Sequence, residues 1–462
     1  MESLKKINLP SNVKLLLTYL NKAGFEAYVV GGAVRDRILG NAVSDYDITT
    51  DALPNQVIDI FKDFEVIETG LQHGTVTVMV DGEGFEITTY RIDGEYLDNR
   101  HPESVTFTSN LIDDLSRRDF TVNALACDID GNIIDAFDGL SDMQNKVIRC
   151  VGNADERFQE DGLRILRALR FAGRLGFTIE KNTSDAIFRN KKLIANISVE
   201  RIQKEFNGLL SCANINSAVK LIDDYFEIIC EFIPEFRAVR MNQNNKYHRH
   251  NDLVEHTLAV VAGTEPDLIL RLAAFFHDFG KPDTYTEEHL ETGIQGHFYG
   301  HPKVSKDKAI DIMRRLKYSN DEIADVAWLV EHHDNMIAAT KRSVKKLLNA
   351  APRIDLVDTL LKLKVSDRAD HVNLMEKYPE YIDKIIEIKS NILESNSAFS
   401  LKQLAINGYD VMGLGYTGPA VGYLLQAALN AVIDEEVENE RDALILFIKS
   451  VNVEVSINGK RL

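Results

Sequence analysis

Residues 31–47, GGAVRDRILGNAVSDYD, place a glycine turn, an arginine and two aspartates spaced i, i+2 in one short run, and that run constrains the fold more than any other part of the chain. Gly31 and Gly32 let a backbone approach phosphate oxygens closely because neither carries a Cβ, and Arg35 is a fixed-charge fork suited to those oxygens. The preceding YVV is predicted to be a buried strand, and VRDRILG a short helix closed by Gly40. Asp45 and Asp47 then follow on a second predicted strand, where period-two alternation sends both carboxylates to one face, about 7 Å apart at the backbone. Oxygens so placed can converge on Mg²⁺ while a triphosphate supplies further ligands, a geometry suited to nucleotidyl transfer. Singly, Asp-x-Asp is a common loop element and Gly-Gly a common turn. Their order within one run carries the reading.

Four more segments follow in order: RRDFTVNALA (117–126), DAFDGL (135–140), EDGLRILRALRFAGRLGF (160–177) and ISVERIQKEF (197–206). Together with GGAVRD and DYD they resemble the successive motifs of the tRNA nucleotidyltransferase and bacterial poly(A) polymerase family, class II of the polymerase-beta-like transferases. The resemblance implies an α+β fold, with a small mixed-sheet nucleotidyltransferase head followed by an all-helical body. It implies CTP, ATP and the tRNA 3′ end as partners and Mg²⁺ as cofactor, with Asp45 and Asp47 catalytic and metal-binding. Gly32, Arg35, Arg118, Asp161, Arg164, Arg167 and Arg170 match nucleotide-binding positions. The activity expected from the resemblance is template-independent CCA addition to the tRNA 3′ end, with poly(A) synthesis and terminal-A addition, which share these motifs, as the alternatives. The polar segment Tyr90–Leu115 resembles the flexible loop the family uses in switching from cytidine to adenosine, which favours activity reaching the terminal A. Glu86, in FEITTYR, is a candidate third carboxylate that reads equally well as a solvated strand residue.

Arg164, Arg167, Arg170 and Arg174 recur at three- and four-residue steps on a helix predicted from near Glu160, while Ile165, Leu169 and Ala172 occupy another flank. The basic stripe is expected to face ligand or solvent. Asp161, one turn before Arg164, can accept from an exocyclic amino group, whereas Arg164 only donates and so suits a ring nitrogen. Cytosine N4/N3 and adenine N6/N1 both present that pair. Uracil and guanine reverse it and leave buried polar groups unpaired, at roughly 1–3 kcal/mol per group. The competing reading is an arginine-rich helix that pairs with its own carboxylates.

A formal charge of −18 opposes phosphate binding, although residues 157–206 hold 11 basic against 6 acidic residues, enough for a local surface that carries an RNA end. Strand alternation dominates to about residue 150 and helical periodicity beyond it. The expected divisions are a catalytic head over 1–150, a helical neck over 151–240, a metal-binding domain over 241–375 and a helical tail over 376–462. In the tail, GLGYTGPAVGYLL (413–425) reads as a helix stop and restart. The opening MESLKKINLPSNVKLLL is too polar for an export segment and no stretch reads as membrane-spanning, so a cytoplasmic protein is expected. The cysteines at 127, 150, 212 and 230 match no metal or redox spacing and are expected to be reduced and buried.

Nine of the twelve histidines lie between residues 248 and 333. DLVEHTL, AAFFHDFGKP, GHFYGH, EHH and VSDRAD resemble the HD phosphohydrolase superfamily, and His256, His277, Asp278 and Asp367 stand at its metal-ligand positions. His301 and His333 are candidates for a second ion. Imidazoles and carboxylates together suit a divalent transition metal, which would permit phosphoester hydrolysis. The alternatives are a structural domain that has kept its ligands, and a hydrolase whose N-terminal half merely binds nucleotide.

Overall fold

The computed structural model describes residues 6–71, 74–94, 105–245, 249–291, 293–370 and 378–451. It divides into two compact units, Met1–Arg237 and Ala238–Leu462.

In the first unit, short alternating segments become strands: β1 (Ala27–Val30), β2 (Asp47–Thr50), β3 (Glu65–Ile67), β4 (Thr75–Val80), β5 (Glu83–Thr89), the ribbon β6 (Arg91–Asp93) and β7 (Val105–Phe107), β8 (Leu125–Cys127) and β9 (Ile133–Asp135). TVTVMV buries every second residue, as the period-two pattern requires. Seven strands form one sheet in the order β3-β4-β5-β2-β1-β8-β9. It is mixed, because β2 runs parallel to β5 and antiparallel to β1. The Ser11–Lys22 helix seals part of the head by burying Val13, Leu16, Leu17 and Leu20 on one stripe. Of the Tyr90–Leu115 segment only the ribbon and its flanks are seen; residues 95–104 lie outside the described residues.

Beyond residue 150 helices dominate. The arginine-bearing helix differs from expectation in its start. One helix, Ala154–Glu160, ends where a single helix was predicted to begin, Asp161 is extended at φ −142°, and a second helix runs Leu163–Leu175. Gly162 sits at the break, where a Cβ would come within 3.1 Å of the Leu193 carbonyl oxygen. Asp161 therefore lies between the two helices, its Oδ1 accepting from the Leu163 N–H at 3.0 Å, instead of sitting one turn below Arg164 on the same helix.

The body is helical rather than all-helical. A parallel pair, β10 (Val147–Ile148) with β11 (Thr178–Ile179), joins the head's edge to the neck, and a hairpin of β12 (Tyr285–Leu290) and β13 (Gly293–Phe298) interrupts the second unit. Most hairpin residues are half-buried or exposed, so the segment carries no apolar alternation from which it could have been read. In the tail, helices Gly408–Gly413 and Pro419–Ile433 flank the predicted stop, with Gly418 at φ 59° and Pro419 opening the restart. Val411, Leu424, Leu429, Leu444 and Ile448 belong to a core cluster of their own. All four cysteines are buried free thiols. Among the described residues no helix is long and apolar enough to cross a membrane.

Candidate active site

β1 leads into Gly31, whose φ of 74° suits glycine and where an added Cβ would stand 2.9 Å from Arg118 Nη1. The chain then enters the Gly32–Ile38 helix and returns through residues 41–46 to β2. A cavity of about 360 Å³ opens beside this turn, and Gly31, Gly32, Arg35, Asp45, Asp47 and Arg118 line it. The wall opposite comes from the Leu163–Leu175 helix, through Arg167, Arg170, Phe171 and Arg174.

β2 begins at Asp47, so Asp45 belongs to the preceding loop, yet the alternation holds: Asp45 and Asp47 are exposed and Tyr46 between them is buried, its hydroxyl accepting from Arg37 Nε at 2.7 Å. Asp47 faces an open cavity but is walled closely enough that burial pushes its carboxyl above the ordinary carboxylate range; Arg118 opposes this shift and Asp45 adds to it. Glu86 is exposed at the β5 position in register with Asp47, next to the paired Ile48 and Ile87, and is not among the described residues lining the cavity.

Carboxylates hold the arginines of this cavity. Arg35 forks onto Asp36 at 2.9 and 2.8 Å and also donates to Asn123. Arg167 donates twice to Asp119, at 2.8 and 2.6 Å; Arg170 pairs with Glu205, and Arg174 with Asp36 at 3.3 Å. The guanidinium groups of Arg35, Arg167 and Arg170 surround the Phe171 ring at 5.1, 5.1 and 4.4 Å from its centroid. Burial alone would raise the Asp119 carboxyl, but Arg167 and Asn123 bring it down to about 2. Asp119, Asn123 and Phe171 were missed in the sequence, although all lie within quoted segments and Asp119 and Asn123 are four residues apart.

The pair expected to read the base is placed differently. Gly32, Arg35, Asp45, Asp47, Arg118, Arg167 and Arg170 meet at the cavity, whereas Asp161 and Arg164 lie outside its lining. Asp161 Oδ2 accepts from Arg201 at 2.6 Å. Arg164 pairs with Glu160 and donates to the carbonyls of Arg157 and Arg117 at 3.1 and 2.9 Å. The helix break at Gly162 sets Asp161 apart from Arg164, and each of the two has a partner of its own, Arg201 and Glu160.

A second cluster lies in the other unit: His256 is on helix Leu253–Ala262, His277 and Asp278 follow helix Leu268–Phe276, His301 opens helix His301–Arg315, His333 follows helix Asn320–His332, and Asp367 is on helix Leu356–Ala369. His256, His277 and Asp278 bring ligand atoms within 4.8 Å of one another, and Asp278, His301 and His333 form a second such triad. Asp367 Oδ1 stands 3.4 Å from His256 Nε2 and 3.9 Å from His277 Nε2. His277, His301 and His333 each donate from Nδ1 to a backbone carbonyl, at 2.7, 2.8 and 2.7 Å, and His256 Nδ1 to Asp370 at 2.7 Å. Each Nε2 is thereby turned to the centre, the orientation a metal-binding imidazole needs. Nε2 atoms face each other at 3.3 Å in both halves, and both buried oxygens of Asp278 lack a well-angled donor although Lys281 Nζ stands 2.7 Å away. Burial would lower the His256 imidazole, but Asp278, Asp367 and Asp370 pull it up to about 10, and a divalent cation competes for that same field. His333 is pushed down to about 3, by burial first and then by His277, so it is neutral and ready to ligate. Asp370, missed in the sequence, sits three residues beyond Asp367.

Residues 27–149 match the Poly A polymerase head domain, residues 176–238 the probable RNA and SrmB-binding site of polymerase A, and residues 297–448 the putative tRNA nucleotidyltransferase domain 2. The CCA-adding enzyme of Lactobacillus johnsonii is 35% identical over 441 residues, covering 94% of this chain and 95% of its own. That of Oceanobacillus iheyensis is 50% identical over 209 residues, 45% of this chain and 52% of its own. Among solved structures, the Bacillus stearothermophilus CCA-adding enzyme in complex with CTP superposes with a TM-score of 0.70 at 28% identity, over 95% of this chain and 96% of that one. The Thermotoga maritima CCA-adding enzyme complexed with tRNA shares the fold, with a TM-score of 0.58 at 18% identity over 96% of each chain. With a near-complete relative above 30% identity and a head whose carboxylates and arginines meet in one cavity, the chain belongs to the CCA-adding enzyme family.

Proposed function

We propose that this protein adds CCA to the 3′ end of tRNA from CTP and ATP, without a nucleic-acid template, in the cytoplasm. The observation that carries this reading is the single cavity in which Asp45 and Asp47 face Arg35, Arg118, Arg167 and Arg170. Among the described residues no ion pair engages Asp45 or Asp47, and a pair of hard oxygen donors left open in this way fits Mg²⁺. Bound there, Mg²⁺ supplies Lewis-acid stabilisation of the charge that develops as the 3′-hydroxyl attacks the alpha phosphorus and pyrophosphate leaves. Arg118, Arg167 and Arg170 contribute fixed positive charge along the triphosphate, and Gly32 lets it approach the backbone. A divalent metal is expected of the family, and Mg²⁺ is the ion that two carboxylates together with a triphosphate suit.

Incubation with tRNA lacking its end, CTP and ATP tests the reading. Two cytidines and one adenosine are expected; a long A tail would make the enzyme a poly(A) polymerase, and no incorporation would remove the activity. For base choice, Asp161 and Arg164 are the proposed readers, with the incoming base replacing Arg201 and Glu160 as their partners. Arg164→Ala is then expected to cut discrimination against UTP and GTP by roughly 5- to 100-fold while slowing addition, measured as kcat/KM ratios. A slow but equally selective variant would leave Arg164 as a support for the Arg117 carbonyl.

The histidine cluster supports a second reading. His256, His277, Asp278 and Asp367 hold a divalent transition metal, with His301 and His333 completing a second position, and the site hydrolyses phosphoesters as an HD domain. The division into head, neck, HD domain and tail at residues 150, 240 and 375 belongs to the same proposal.

A further inference from the structure

Asp114 stands at the end of the Tyr90–Leu115 segment and is fully buried, on the Leu111–Ser116 helix of the head. Its Oδ1 accepts from Arg117 at 3.0 and 2.8 Å. Its Oδ2 lies 3.4 Å from Arg118 Nη2 and 3.4 Å from the Thr49 hydroxyl, on β2 two residues past Asp47. Burial would raise its carboxyl, but Arg117, Arg118 and the Arg91 N–H at the start of β6 together hold it below the ordinary range. A buried carboxylate that stays charged keeps cationic partners in fixed positions.

Arg118 is the partner that matters for the cavity. Its guanidinium lines the cavity beside Asp47, its charge is felt by Asp47, and its Nε is buried without a hydrogen-bond partner. Arg118 thus lies between two carboxylates, one structural and one open to the cavity. With the Asp114 charge removed, the strongest opposite charge left to Arg118 is Asp47. An Arg118–Asp47 pair would occupy an oxygen that a cation needs and would withdraw a guanidinium from the triphosphate.

We propose that Asp114 is a positioning residue for nucleotide addition, whose charge anchors Arg118 away from Asp47 and so keeps Asp47 open to its cation. The inference rests on the reading of Asp47 as a metal ligand. Asp114→Asn keeps the size and the acceptor oxygen but removes the charge; Asp114→Glu keeps the charge. The measurements are the Mg²⁺ concentration giving half-maximal CMP incorporation and, by calorimetry on the full chain, the gain in CTP affinity when Mg²⁺ is added. Asp114→Asn is expected to raise the first about tenfold and to shrink the second, with Asp114→Glu close to wild type. In an Arg118→Ala background, Asp114→Asn is expected to change the Mg²⁺ requirement less than about twofold, because the pair then no longer couples. Assays are run well below each variant's melting temperature. An unchanged Mg²⁺ requirement in Asp114→Asn, an equal rise in both backgrounds, or a variant that folds at no temperature would each overturn the proposal, the last by making Asp114 a purely structural anchor. If instead wild-type CTP affinity does not respond to Mg²⁺, the metal reading of Asp47 itself fails.

Discussion

Asp45→Ala and Asp47→Ala are each expected to lower CMP and AMP incorporation by at least about 10³-fold, because metal-ion stabilisation of a phosphoryl transition state contributes several kcal/mol. The fold should survive. Both side chains are exposed at the cavity, neither belongs to the buried core, and Tyr46 keeps its hydroxyl contact with Arg37 in either variant. Asp47 is also held above the ordinary carboxylate range by burial, so its removal relieves a desolvated charge instead of breaking a stabilising pair. Single-turnover incorporation on tRNA lacking its end, with thermal melts alongside, measures both halves of the expectation. Wild-type-like addition by either variant in Mg²⁺ would remove these residues from the chemistry.

His277→Ala is expected to separate the two proposed sites. Wild-type protein should carry a divalent transition metal and the variant should lose it, while CCA addition stays within about twofold, because the described lining of the head cavity offers Asp45 and Asp47 oxygens and no imidazole, and the second cluster mixes imidazole with carboxylate. In wild type the His277 Nε2 faces His256 Nε2 at 3.3 Å and Asp278 at 3.1 Å. Elemental analysis of both proteins checks the binding, and assays on 2′,3′-cyclic phosphates and nucleoside monophosphates check the hydrolysis. Metal-free wild type would dispose of the centre. Silence on every phosphoester would reduce it to a metal-stabilised scaffold, and a folded variant crippled in CCA addition would tie the cluster to the head's reaction.

The head was the most legible part of the chain. Alternation in TVTVMV and the glycine turn before VRDRILG follow local rules; the strand formed where alternation put it, and the helix formed there too, two residues earlier than read, from Gly32 to Ile38. Legibility failed where a partner distant in sequence decides the outcome. The spacing from Asp161 to Arg164 suggested one helical turn, but a glycine set against Leu193 broke the helix, and Arg201, forty residues on, took the Asp161 carboxylate. The fifth motif, ISVERIQKEF, matched the family pattern with no role assigned to its charged residues; in the fold it supplies Arg201 and Glu205, which hold Asp161 and Arg170. Asp119 and Asp370 escaped notice for the same reason: each orients another side chain, and that role has no signature in spacing.

The internally paired arginines of the Leu163–Leu175 helix bear on how an acidic protein takes up a polyanion. Arg164, Arg167, Arg170 and Arg174 are matched by Glu160, Asp119, Glu205 and Asp36, so their charge is compensated by the protein itself and not by dissolved ions. An arriving phosphate that engages one of them displaces a carboxylate or shares the arginine with it, and few counterions are released from this helix into bulk solution. The ionic-strength dependence of RNA affinity should then be shallower than the number of arginine–phosphate contacts implies, leaving the fit between the RNA end and the cavity, more than long-range attraction, to govern binding.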